Sequence, residues 1–149
     1  MKKKLLLFFC FISFLSLSAQ TVEWQTNISE AVELSNKNRM PLMILFTANN
    51  LDTPLQEEVF KSFDFNKWYP KNVILLRLDL SDGKLEPEVL EKNTKLKNAF
   101  GVQEVPVICY ANASIKNDKV IYQLLGKVVY DRSGARNWIN KSEKIIYGE

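Results

Sequence analysis

Few residues in this 149-residue chain could carry covalent chemistry: two cysteines, Cys10 and Cys109, and not one histidine. Thiol–disulfide exchange needs a thiolate to attack and a second thiol to resolve the mixed disulfide, commonly as a C-x-x-C pair at a helix start. These two cysteines stand far apart in sequence. The lack of histidine removes Ser-His and Cys-His nucleophiles, histidine-ligated metals and imidazole acid–base catalysis together. Among the carboxylates, Glu86, Glu88 and Glu91 gather at a helix start, where acidic side chains suit the dipole and read as a solvated face. Asp79 and Asp82 are two loop carboxylates, short of a cation site. Asp52 precedes Thr53-Pro54 and reads as a capping or first-turn carboxylate. No cofactor and no metal are expected.

The first cysteine belongs to a segment of its own. "MKKKLLLFFCFISFLSLSA" has three lysines, an apolar core from Leu5 to about Leu17 and a small residue at its end. That is the layout of a secretory signal peptide, too short in its apolar run for a spanning helix. Residues 1–19 are therefore expected to be removed with Cys10, leaving 20–149 as one exported domain, periplasmic or secreted. The loss of Lys2, Lys3 and Lys4 would leave 17 basic side chains against 17 acidic ones. A net charge of zero offers no surface for nucleic acid or an anionic membrane, and no stable membrane insertion is expected after cleavage. Cys109 is then alone, so no intramolecular disulfide can form.

The elements that must hold these residues follow from pattern. "TVEWQ" (21–25) reads as a short edge strand. A helix follows, with Asn27 and Glu30 spaced as a capping box and Ile28, Ala31, Val32 and Ser35 on one face. "PLMILFT" (41–47) and "NVILLRLDL" (72–80) are continuous apolar runs that suit strands covered on both faces. Between them Thr53 is expected to cap a helix with Pro54 in its first turn and Leu55, Val59 and Phe63 as its buried stripe. "FDFNKWYP" (63–70) reads as a short irregular or helical piece with Phe65 and Trp68 inward. Pro87 to Phe100 is a helix stopped by Gly101. "VPVICYAN" (105–112), a turn at 112–118 and "KVIYQLLG" (119–126) make an antiparallel hairpin. Ser133 is expected to cap a last helix over 133–146, with Trp138, Ile139, Ser142 and Ile145 on one side. Three early strands separated by helices imply a parallel part, and the hairpin adds an antiparallel one. The fold class is α/β: a mixed sheet with helices on both faces.

That order resembles the thioredoxin fold. Two stretches carry the likeness. In "NAFGVQEVPVICY" (98–110), Phe100-Gly101-Val102 leads to Val105-Pro106, similar to the family's helix-ending "FGV" step and the cis proline that follows it. "NRMPLMILFTANN…EEVFKSFDFNKW" is similar to exported family members in which a strand ending "F-T-G" precedes W-C-x-x-C and a helix ending "K-E-V-F". Counted forward from Phe46-Thr47, the family's cysteines fall on Asp52 and Leu55. Counted back from Glu58-Val59-Phe60, they fall on Asn49 and Asp52, because the loop is about three residues shorter than usual. Neither count supplies a sulfur.

The resemblance implies a cis Val105–Pro106 bond and a peptide-binding edge beside it. A redox-inactive binding module of the cell envelope is therefore the expected function, its partner a protein or extended peptide taken up by strand addition. Val105 and Pro106 would form one side of the site. Asn49, Asn50 and Asp52, in the loop Ala48–Thr53, would form a polar facing wall. An enzyme is the alternative, a thiol oxidoreductase working through Cys109 alone. Against it, Cys109 sits in the apolar strand "VICY", where burial makes a thiol inert. A third reading is an assembly module dimerising through a sheet edge; the sequence sets no oligomeric state.

Overall fold

The computed structural model describes residues 22–148; the signal peptide expected at 1–19, with Cys10, lies outside the described residues. Helix α1 (Ile28–Asn38) opens on Asn27, whose side chain accepts from the Ser29 and Glu30 N–H groups, and it buries Ala31, Val32 and Ser35. Strand β1 (Leu42–Thr47) is buried along its whole length. Helix α2 (Thr53–Leu55) continues as a π turn over Gln56–Phe60 and is followed by α3 (Phe63–Asn72). Strand β2 (Ile74–Asp79), helix α4 (Pro87–Ala99), strands β3 (Val107–Lys116) and β4 (Lys119–Val128), and helix α5 (Ala135–Tyr147) complete the chain.

The four strands form one sheet in the order β2-β1-β3-β4. β1 and β2 are parallel, whereas β1–β3 and β3–β4 are antiparallel. α2 and α3 make the crossover that a parallel pair requires. One sheet face packs Met43, Leu45, Leu75, Ile108 and Tyr110 against α2, α3 and α5. The other packs Ile44, Phe46, Leu76 and Cys109 against α1 and α4. The mixed sheet with helices on both faces is the architecture expected from the pattern.

Four local expectations are corrected. Of the edge strand expected at 21–25, residue 21 lies outside the described residues and 22–25 form a single parallel bridge, Gln25 to Leu76. Gln25 gives its N–H to Leu75 and takes that of Arg77, and the chain then leaves at once to cap α1. The hairpin turn is Asn117-Asp118 alone, both in the left-handed region at φ 49° and 59°. That is the geometry a two-residue type I′ turn demands, so residues 112–116 stay in the ladder. α5 is capped by Gly134, not Ser133, whose N–H and hydroxyl are both bound to Asp131. The buried stripe of α2 ends at Val59 and Phe60, because the π turn spends an extra residue and Lys61 N–H reaches back to Gln56. Phe63 consequently starts α3 on the surface, 79% exposed.

Candidate functional site

The place where β1 hands over to α2 is built around one carboxylate. The chain leaves Thr47, turns through two left-handed residues, Asn49 (φ 49°) and Asn50 (φ 56°), and enters α2 at Thr53. Asparagine is among the few side chains that occupy that region readily. The turn is closed by Leu51 N–H to the Ala48 carbonyl and by Thr53 N–H and hydroxyl to the Asn50 carbonyl. Its outer side is tied to the end of β2: Asn49 N–H donates to Ser81 Oγ, which in turn donates to Asp79.

Asp52 is the residue ahead of the first helical turn, but its side chain makes no capping bond. It points inward instead and is 1% exposed. Oδ1 accepts from the Thr47 hydroxyl at 2.9 Å and from Arg77 Nη2 at 3.2 Å, and Oδ2 accepts from Gln56 Nε2 at 2.8 Å. The capping role expected for Asp52 is thus replaced by a buried ion pair. The expected polar wall is reduced to Asn49 and Asn50, both exposed. Thr53, the expected cap, donates its hydroxyl rather than accepting with it. Arg77, Thr47 and Gln56 were not among the sequence candidates. Arg77 had a readable signal: a charge inside the otherwise apolar run "ILLRL" of a covered strand.

Asp52, common to the two cysteine counts, stands at the helix start. A reactive thiol profits from the N-terminal turn of a helix. Asp52 and Leu55 hold that turn, Leu55 buried in the core, while Asn49 lies back in the loop.

Cys109 is a free thiol with no solvent exposure. Burial pushes its pKa up to about 11, against a minor opposing pull from Lys127. Its ladder partners are Ile44 and Lys127. Arg77 is level with Leu45, which is level with Ile108, and cross-strand neighbours share a face. Cys109, one residue on from Ile108, therefore faces the opposite side, among the residues under α1 and α4. The sheet itself separates this thiol from the head of α2.

The Val105–Pro106 bond is cis, and both residues are half-buried just ahead of β3. Val105 packs its side chain on the core under α1 and α4. Among the described residues neither its N–H nor its carbonyl enters a backbone hydrogen bond. No group of three His, Cys, Asp or Glu comes together to hold a metal ion among the described residues. No helix among them is long and apolar enough to cross a membrane.

Compared with known proteins, the chain matches no family model and no curated protein. It does match solved structures. One, named as a DsbH oxidoreductase, superposes with a TM-score of 0.71 over 93% of this chain and 94% of its own, at 17% identity. Another, a thioredoxin from Thermus thermophilus, gives a TM-score of 0.61 at 13% identity, over 83% of this chain and 86% of its own.

Proposed function

From the thioredoxin-like fold of this chain, we propose that it is an exported binding protein that holds an extended peptide segment and exchanges no disulfides. The observation that carries this reading is the occupancy of the helix head. Where the fold would present an attacking sulfur, a buried aspartate is locked by three partners. A carboxylate so engaged is no nucleophile toward a disulfide, and the described thiol lies on the other side of the sheet. What is left to use is backbone. The N–H and carbonyl of Val105, without a backbone partner among the described residues, can add a strand-like peptide, an association that takes its affinity from main-chain bonds. The exposed Asn49 and Asn50 supply polar side chains on the loop at the helix head. Export rests on the amino-terminal pattern of lysines and apolar residues.

Fluorescence anisotropy with a labelled, cysteine-free extended peptide library tests this directly. Saturable binding is expected, weakened about tenfold, or about 1.4 kcal/mol, by Pro106→Thr, which adds an N–H and frees the φ angle beside Val105. Binding that the substitution leaves unchanged would move the site elsewhere, and no binding at all would remove the reading.

A further inference from the structure

The sheet ends on strand β4, whose outer edge has no neighbour among the described residues. The opposite edge, at β2, is met by Gln25, which bonds to Leu75 and Arg77. β1 pairs only with residues 107–111 of β3, so the hairpin runs on to its turn as two strands alone. A two-stranded ribbon is marginal in water by itself. A long open edge is also a template for pairing, and natural edges are blunted by charges, prolines or bulges. β4 has its bulge at Leu125, left over between the pairs Ala111–Leu124 and Tyr110–Gly126. Between Lys119 and that bulge nothing blunts it: residues 120–124 read Val-Ile-Tyr-Gln-Leu, with neither charge nor proline.

The side chains of this segment are apolar although they meet water. Tyr122 is level with Ala113 and packs edge-on against Phe100, 5.8 Å between ring centres, so it faces the side under α1 and α4. Alternation puts Val120 and Leu124 on the same face, and Ile115, level with Val120, joins them. Val120 is 40% exposed, Leu124 38% and Ile115 50%. The result is an apolar stripe continuous with the core and bare along the edge. On the other face Ile121, level with Ser114, is 49% exposed.

We propose that this edge binds a second copy of the chain, β4 against β4, antiparallel about a two-fold axis through Tyr122. A two-fold normal to the sheet sets opposite each other only residues that share a face. Through Tyr122 it pairs the regular segment with itself: Val120 with Leu124 of the second copy, Ile121 with Gln123, and Tyr122 with its own mate. The two apolar stripes become one, and the two sheets become one. The turn carboxylate of Asp118 comes to the level of Gly126, beside Lys127, so an acid meets a base at each end of the ladder. An axis through Ile121 would lay Asp118 against Leu124, and one through Gln123 would run Ile121 into the bulge at Leu125. Matching apolar residues and complementary charges about one axis favour a copy of this chain over an unrelated partner. One short ladder is a small interface, so the dimer belongs to the weak, reversible class. It is independent of the Val105 edge.

The test is sedimentation velocity of the chain as recovered from expressing cells, carrying Cys10→Ser, over a micromolar-to-millimolar series. A reversible equilibrium that stops at the dimer is expected, because a two-fold contact closes on itself. Val120→Lys and Leu124→Lys should each weaken it at least tenfold, while Phe63→Lys, at an exposed apolar residue of α3, should leave it unchanged. Cross-linking reads the register. Directly opposed residues of antiparallel strands have Cα atoms about 4.5–5.5 Å apart, within reach of a disulfide. Tyr122→Cys should therefore give a covalent dimer on mild oxidation, as should Val120→Cys combined with Leu124→Cys. Val120→Cys alone should not, because its mate stands four residues along the ladder, and the buried Cys109 takes no part. A chain monomeric throughout, assembly that continues past the dimer, or a dimer that both lysine variants leave unchanged would overturn the proposal. So would cross-linking by Val120→Cys alone as readily as by Tyr122→Cys or the double variant.

Discussion

Arg77→Ala is expected to destabilise the fold by about 3–5 kcal/mol, the usual result of removing one partner from a buried ion pair. The two ends of this pair are unequal: Arg77 keeps 29% of its side chain exposed and Asp52 only 1%. Without Arg77, the carboxylate is left with two neutral donors, Thr47 and Gln56, and almost no water. Asp52→Ala should cost less, about 1–3 kcal/mol. The guanidinium can turn to solvent and to Asp79, 4.0 Å away, while the buried Thr47 hydroxyl loses its acceptor. Urea denaturation of both variants at neutral pH reads the difference. An Arg77→Ala cost below about 1 kcal/mol would place the pair among ordinary surface contacts, and the account of a locked helix head would fail with it.

Phe60→Ala is expected to cost about 3–5 kcal/mol, as for other large aromatic truncations in a packed core. Phe63→Ala, three residues on, should stay within about 0.5 kcal/mol. Phe60 is 1% exposed, and its ring lies 4.9 Å from that of Phe65, 5.1 Å from Trp24 and 6.0 Å from Trp138. Simple helical spacing from Leu55 and Val59 assigns the buried place to Phe63, so the pair of variants reads the helical register directly. A π turn puts Phe60 inward and ends α2 before that spacing can be completed. Ser62 then caps α3 by accepting from Phe65 N–H, and the buried run resumes with Phe65 and Trp68. Equal losses in the two variants, or a larger one at Phe63, would mean that the segment winds as a plain α-helix. The same experiment bears on the site, since this turn follows directly from the helix head that Asp52 occupies.

These two cases also show how far sequence reaches here. Strands β1 and β2 were legible because a continuous apolar run with turn signals on each side has few other homes. The N-terminal cap of α1 and the glycine after α4 were legible because they depend on local backbone needs; Gly101 indeed takes φ 61°. The burial of Cys109 was legible from the apolar strand around it. What escaped is non-local. Asp52 looks like a cap until Arg77, twenty-five residues later, is brought across the parallel pair to meet it. Of the edge strand expected at 21–25, the described residues pair only at Gln25, after which the chain turns to cap α1. The burial of Asn93 in α4 is hidden among the polar residues of "EKNTKLKN" and shows only once the helix is oriented on the sheet.

The proposed lack of disulfide exchange rests on the burial of the Cys109 thiol. Carrying Cys10→Ser so that Cys109 is the sole sulfhydryl, the protein should be titrated with an aromatic disulfide reagent at neutral pH, folded and unfolded, beside an insulin-reduction assay. With its pKa near 11, Cys109 has about a hundredfold less thiolate than an ordinary cysteine, and its sulfur is out of reach of the reagent. The expected result is one thiol that reacts only after unfolding, and no insulin reduction above the uncatalysed rate. A folded-state reaction as fast as that of free cysteine, together with insulin reduction that Cys109→Ser abolishes, would contradict the account.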